Sequence, residues 1–120
     1  MIAIQLIAHG SRREEANEEL VEVANRLSDQ SDYGLVVASY LEIADPSIPV
    51  AARLCVAAGA TEVLMMPYFL SPGSHGTSDM QRYRAELQDE FPDIRFRLCP
   101  PLGLHPLMLD IIRDRLNEAD

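Results

Sequence analysis

Apolar residues fill positions 2–8 except for Gln5 and stop at His9-Gly10-Ser11. A short apolar run of this kind suits a strand buried on both faces. The period then changes. Ala16, Leu20, Val23, Ala24 and Leu27 recur at helical spacing over residues 12–29, with Glu14, Glu15, Glu18, Glu19 and Glu22 between them. That pattern predicts an amphipathic helix, and its early glutamates suit the positive end of the helix dipole. Gly34 opens a second strand, Leu35 to Leu41. Asp45-Pro46-Ser47 predicts a helix start, with Asp45 as N-cap and Pro46 at the first helical position. This helix runs to about Ala58, and Gly59 ends it. Thr61 to Pro67 forms a third strand centred on Val63-Leu64-Met65-Met66. A loop, Tyr68 to Ser74, leads to a helix from about Gly76 to Phe91, closed by Pro92. Ile94 to Leu98 is a fourth strand, Pro100 to His105 a turn, and Pro106 to Leu116 a last helix.

Strict β-α alternation implies a parallel sheet with helices on both faces, and right-handed crossovers leave few topologies. The expected fold is α/β: a flavodoxin-like, four-stranded parallel sheet of order 2-1-3-4, forming one domain over residues 1–120. The hydrophobic content of 48% is ample for its core.

Charge narrows the function. The net charge of −9 and the absence of a basic face argue against nucleic acid and against an anionic membrane surface. All ten basic residues are arginine, which excludes a lysine Schiff base and a P-loop lysine. No apolar run approaches the ~20 residues of a membrane span. The N-terminus lacks a basic leader segment and reads as a strand. Cys55 and Cys99 form no CxxC pair and read as two buried thiols in a reducing compartment, so the expected location is the cytoplasm.

Ligands of open parallel sheets bind beyond the carboxyl ends of the strands. His9 follows the first strand, Glu42 and Asp45 the second, Tyr68 to His75 the third, and His105 the fourth by a longer turn. Strands one and three are neighbours in the expected order, about 5 Å apart. His9 and His75 can then face each other across a metal ion of the Co, Ni, Fe or Zn type. Glu42, from the other neighbour of strand one, can add a carboxylate or stabilise positive charge. Ser11 and Arg12 stand at the start of the first helix. Arg12 can meet anionic groups, and equally reads as a solvated helix-start arginine. The glycine and serines of residues 71–78 offer N–H and hydroxyl donors. His105 reads as a capping or surface residue. No GxGxxG or GxxxxGK[ST] pattern supports a nucleotide.

Four segments together carry a resemblance: Ala8-His9-Gly10-Ser11-Arg12, then Leu41-Glu42-Ile43-Ala44-Asp45-Pro46-Ser47-Ile48-Pro49, then Pro67 to His75 with Thr77 and Asp79, and finally Pro101-Leu102-Gly103-Leu104-His105-Pro106. In that order, and over essentially the whole chain, they resemble the short sirohydrochlorin chelatases of the small CbiX type. The resemblance implies insertion of a divalent metal into sirohydrochlorin in cobalamin or sirohaem synthesis. Co²⁺ is the leading ion, with Ni²⁺ or Fe²⁺ as alternatives. The metal is a substrate, and no nucleotide takes part. The resemblance implies that His9 is metal ligand and proton acceptor and His75 the second ligand. It implies that Asp45 contacts substrate, that Leu70, Ser71, Pro72, Gly73 and Ser74 line the tetrapyrrole, and that the chain works as a homodimer. Helix positions such as Leu104, Leu107, Met108 and Ile111 are candidates for the dimer contact or for the core. Where relatives often carry a basic residue after the second histidine, this chain has Ser78.

Metal insertion removes two pyrrole protons while the ion enters, and neutral histidine can perform either role. A competing expectation is a carrier of tetrapyrrole or metal with little turnover. A histidine phosphotransferase or phosphatase is disfavoured, because the arginine usual before such a histidine is Ala8 here.

Overall fold

The computed structural model describes every residue except Pro72, and the backbone alone at Ser74 and His75. The elements are β1 (Ile2–Ala8), α1 (Glu14–Asp29), β2 (Leu35–Tyr40), α2 (Ile48–Ala57), β3 (Glu62–Pro67), α3 (Gly73–Glu90), β4 (Arg95–Leu98) and α4 (Leu107–Asn117). The strands form one four-stranded sheet in the order β2-β1-β3-β4, with every pairing parallel. This is the order expected among the few topologies that alternation and right-handed crossovers leave.

β1 is central, and its residues Ala3 to Ile7 are all buried, Gln5 among them. One face of the sheet is covered by α1, where Leu20 and Ala24 pack with Ile4, Leu6 and Tyr40. The other is covered by α2 and α3, where Ile48, Cys55, Met80 and Leu87 pack with Ile7, Val63, Met65 and Phe96. Helix α1 starts without a side-chain cap, and Glu14 and Glu15 occupy its first turn, where they complement the dipole.

A polar tie crosses the second layer. Gln5, fully buried in β1, donates from Nε2 to Ser39 Oγ (3.2 Å) in β2 and to the Ile48 carbonyl (2.8 Å) at the start of α2. Ser39 Oγ donates onward to the Leu6 carbonyl at 2.8 Å. A buried amide is costly unless bonded, so these contacts hold β1, β2 and α2 in one register.

Three sequence expectations need correction. Asp45 is not the N-cap of α2. Ser47 is, its hydroxyl accepting from Val50 N–H at 3.4 Å, with Pro49 in the first turn. The Pro46 carbonyl instead accepts from Tyr40 N–H at 3.0 Å, which ties Ser47 beside β2 as an isolated bridge and delays the helix. Helix α3 begins at Gly73, not near Gly76, so His75 lies in its first turn. Cys55 is buried as expected, but Cys99 is only half-buried, because it follows the end of β4 at the edge of the sheet.

Helix α4 has no buried residue. Leu107, Ile111, Ile112 and Leu116 are all exposed, and Met108 is half-buried. Of the dimer-or-core candidates, Leu104, Leu107 and Ile111 are therefore outside the core of this chain. The molecule extends 51 Å along its longest axis against 32 and 29 Å across. Among the described residues no helix is long and apolar enough to cross a membrane.

Candidate active site

The carboxyl ends of β1, β2 and β3 are laced together past the last ladder residues. Leu41 N–H donates to the Ala8 carbonyl (2.9 Å), Glu42 N–H to the His9 carbonyl (3.0 Å), and Tyr68 N–H to the Ile7 carbonyl (2.6 Å). His9 is thus held by its own backbone between the loops that follow β2 and β3. Its imidazole is exposed and packs on the Phe69 ring, with centroids 4.7 Å apart and planes tilted by 31°. An exposed ring braced on one face has a defined direction and an open side.

Gly10 follows with φ +96°, a left-handed conformation that glycine adopts without steric penalty. A Cβ there would overlap the Glu42 carbonyl oxygen. The absence of a side chain lets the β2–α2 loop close over the end of β1. Ser11 is fixed next. Its N–H donates to Asn17 Oδ1 (2.9 Å) and its carbonyl accepts from Asn17 Nδ2 (2.8 Å). The Ser11 hydroxyl accepts from Arg13 N–H at 3.0 Å. Tyr40 Oη donates to the Asn17 carbonyl, which joins α1 to the end of β2. Desolvation raises the Tyr40 pKa above the usual phenol value, so this hydroxyl stays a donor.

Ser11, Arg12 and Asp45 come together around one hollow of about 540 Å³, which Asn17, Tyr40 and Ile43 also line. Glu14 and Glu18 stand on the same rim, and Arg12 is the only cation among the described residues that line it. Ile43 is 62% exposed and has φ +71°, unusual for a β-branched residue. Its strain accompanies a tight turn in which Ala44 N–H donates to the Glu42 carbonyl at 2.8 Å.

A second hollow, about 480 Å³ and mostly apolar, lies on the other flank. Leu70 and Ser71 line it together with Pro101, Leu104, Met108 and Ile112. The β4–α4 loop docks there backbone to backbone: Leu102 N–H donates to the Phe69 carbonyl (3.1 Å) and Gly103 N–H to the Leu70 carbonyl (2.9 Å). A Cβ at position 103 would overlap the Leu70 carbonyl. His9 stands on the chain two residues before Ser11 and stacks on the residue before Leu70, so it sits between the polar and the apolar hollow.

The exposed Glu42 is held by its backbone to His9. Gly73 begins α3 with φ +65°. The side chains of Ser74 and His75, and Pro72 altogether, lie outside the described residues. His105 caps α4, with Nδ1 accepting from Leu107 N–H at 3.1 Å. Among the described residues no three His, Cys, Asp or Glu side chains form a metal-sized cluster. Sequence reasoning missed Asn17 and Phe69. Asn17 sits among glutamates and reads as part of a solvated face, and Phe69 reads as loop. Their proximity to Ser11 and His9 arises only from the fold.

The sheet order and the loops gathered at one strand edge define an open parallel α/β protein with its ligand edge at the carboxyl ends of the strands. The CbiX family model matches residues 3–119, and the chain belongs to that family. It is 39% identical over 116 residues to the chloroplastic sirohydrochlorin ferrochelatase of Arabidopsis thaliana, a match covering 97% of this chain and 52% of that one. It is similar to the CbiX protein from Marinobacter aquaeolei VT8, with TM-score 0.84, 26% identity, and 98% and 96% of the two chains covered. It is also similar to the sirohydrochlorin chelatase SirB from Bacillus subtilis subspecies spizizenii, solved in complex with cobalt. There the TM-score is 0.89 and the identity 25%, with 98% of this chain and 50% of that one covered. The chain therefore spans about half the length of the plant and Bacillus relatives.

Proposed function

We propose that this chain inserts a divalent metal ion into sirohydrochlorin. The observation that carries the reading is the placement of His9: an exposed imidazole, braced on Phe69, between a polar hollow and an apolar one. A tetrapyrrole has an apolar macrocycle and a carboxylate rim. Leu70, Ser71 and Leu104 offer a surface for the ring, and Ser11 and Arg12 offer donors for the rim.

Insertion replaces two pyrrole N–H bonds with metal–nitrogen bonds. His9 in its neutral form accepts a proton at one ring nitrogen. The same nitrogen cannot bind the ion at that instant, so the roles are sequential or shared with His75. Metal–histidine bonds are about 2 Å, and a shared ion therefore requires the two rings within roughly 4–6 Å. Glu42 offsets positive charge as the ion and proton arrive. Asp45 contacts the substrate rim. With a net charge of −9, long-range steering of a polycarboxylate is unfavourable, and affinity rests on local donors.

Relatives named as an iron chelatase and a structure with cobalt support a first-row divalent ion. Co²⁺ is the first ion to test, followed by Fe²⁺ and Ni²⁺. A second copy of the chain supplies the other wall of the cleft, which makes the working form a homodimer, and the free thiols suit a reducing cytoplasm. The carrier reading is favoured by one observation, the serine at position 78. Anaerobic absorbance of sirohydrochlorin with Co²⁺ separates the two. Accelerated insertion at substoichiometric protein supports the enzyme. A stoichiometric spectral shift without turnover supports the carrier and overturns the proposal.

A further inference from the structure

Among the described residues, two that are not glycine carry a positive φ: Ile43 at +71° and Leu104 at +64°. Asparagine and aspartate tolerate this region, whereas a large aliphatic side chain there is an outlier. Both side chains also stand in solvent. Ile43 is 62% exposed, and Leu104 is exposed in full. Packing within the chain therefore offsets none of the strain at Leu104 and little of it at Ile43.

The two turns show that glycine would suit the backbone better. Ile43 is the centre of a three-residue turn, closed by Ala44 N–H donating to the Glu42 carbonyl at 2.8 Å. With a positive φ at its centre, this is the rare and strained form of such a turn. Leu104 is the third residue of a four-residue turn, closed by His105 N–H donating to the Leu102 carbonyl at 3.3 Å. A positive φ at that place ordinarily calls for glycine or asparagine. The glycine of this turn stands one residue earlier, where a Cβ would meet the Leu70 carbonyl oxygen. A large aliphatic side chain is thus kept at both places against the preference of the backbone. Strain of this kind collects at ligand clamps and active sites.

The two positions flank one group. Ile43 follows β2 and lines the polar hollow with Ser11 and Arg12. Leu104 follows β4 and lines the apolar hollow with Leu70 and Ser71. β2 and β4 are the outer strands of the sheet, on either side of β1 and β3, and the His9 imidazole, braced on Phe69, stands between the hollows. Each turn is also tied to that imidazole's support. Glu42 N–H donates to the His9 carbonyl (3.0 Å), and Leu102 N–H to the Phe69 carbonyl (3.1 Å). Two aliphatic prongs are therefore held in fixed register with the ring, one on each flank.

We propose that Ile43 and Leu104 are paired contacts for the apolar macrocycle of the substrate, gripping it from opposite flanks so that its pyrrole nitrogens face His9. This rests on the chelatase reading above and names the side chains that centre the ligand. Covering an exposed aliphatic side chain is favourable in proportion to the area removed from water. Both prongs are covered at once only by a ligand that reaches both flanks. A metal ion or a small anion cannot do so; a wide, rigid, apolar ring with its carboxylates at the periphery can. Prongs already set by their turns lose little freedom when the ring arrives.

The test sets stability against binding. Ile43→Gly, Leu104→Gly and the double variant are compared with wild type by thermal denaturation, by sedimentation velocity, and by anaerobic titration with metal-free sirohydrochlorin followed by absorbance. Glycine adopts a positive φ without steric penalty, so each variant melts at or above the wild-type temperature. Kd for sirohydrochlorin rises about fivefold or more for each single variant, and the two losses multiply in the double variant, as separate contacts require. Leu104→Met and Ile43→Val, which keep an aliphatic contact, bind within about twofold of wild type. A fall in melting temperature alongside the weaker binding assigns these side chains to the fold and overturns the proposal. So does a weaker self-association that accounts for the loss of binding, which assigns them to a contact between subunits. A double variant that binds as wild type does overturns it as well and leaves the chelatase reading standing. A wild type that does not bind sirohydrochlorin overturns both.

Discussion

The carbonyl of Glu42 fills the space in which a Cβ at position 10 would stand, and Glu42 N–H donates to the carbonyl of His9 at 3.0 Å. The β2–α2 loop is therefore closed onto the end of β1 by backbone alone. Gly10→Ala must find room for a methyl group at φ +96° and push that carbonyl away. The expected loss is about 2–3 kcal/mol of stability, read by urea denaturation, with a fall in chelation of more than tenfold as His9 and Glu42 separate. Unchanged stability and rate would show that this contact does not position the site.

Asn17 holds both backbone groups of Ser11. Asn17→Ala leaves them without protein partners and is expected to cost about 1–3 kcal/mol. The loosened Ser11–Arg12 segment raises KM for the tetrapyrrole more than it lowers kcat. Steady-state kinetics read the split, and an effect confined to kcat would contradict a binding role.

Much of this arrangement is legible in the sequence, for identifiable reasons. The apolar run of residues 2–8, interrupted only by Gln5, suits a strand with two covered faces, and β1 is central. His9-Gly10 at its end falls at the ligand-binding edge of any such sheet. The start of α2 was ambiguous because Asp45-Pro46 and Ser47-Ile48-Pro49 both carry capping signals. The bond from Tyr40 N–H to the Pro46 carbonyl decides for the second, and it is a tertiary contact. The pattern of α4 predicts a buried face, yet no residue of α4 is buried in this chain. Asn17 and Phe69 act through residues that are distant until the chain folds.

Arg12 is the only cation among the described residues lining the polar hollow. Arg12→Gln is expected to raise KM for sirohydrochlorin five- to twentyfold and to leave kcat within about threefold, since a rim contact binds ground and transition states alike. The defect should resemble the effect of added salt on wild type. A selective loss of kcat would place Arg12 in the chemistry instead.

Burial pushes the Cys55 thiol from its ordinary 9.0 up to about 11. The unfolded chain therefore ionises at a lower pH than the folded one. Stability is expected to fall as pH rises from about 9 to 11, because only the unfolded state has released this proton. Desolvation also raises the Cys99 pKa, with Arg97 opposing it. Both thiols should resist alkylation at pH 7 in the native state. Denaturation midpoints across the alkaline range check the first point, and a midpoint rising with pH would contradict it.

An imidazole that must accept a proton or hold an ion has to be neutral. Chelation, with uncatalysed insertion subtracted, is therefore expected to fall on acidification, because protonation removes the base and repels the ion. A corrected rate that stays flat from pH 5 to 8 would exclude a limiting histidine base.

The central claim is that His9 performs the insertion step. The direct measurement is the initial rate of Co²⁺ insertion into sirohydrochlorin, followed anaerobically by absorbance with protein well below substrate, for wild type and His9→Ala side by side. Wild type is expected to turn over many times. His9→Ala should fall at least a hundredfold toward the uncatalysed rate while still binding the tetrapyrrole, since the loss of a general base alone is worth about 10²–10⁴. Turnover by His9→Ala within a few-fold of wild type would contradict the account.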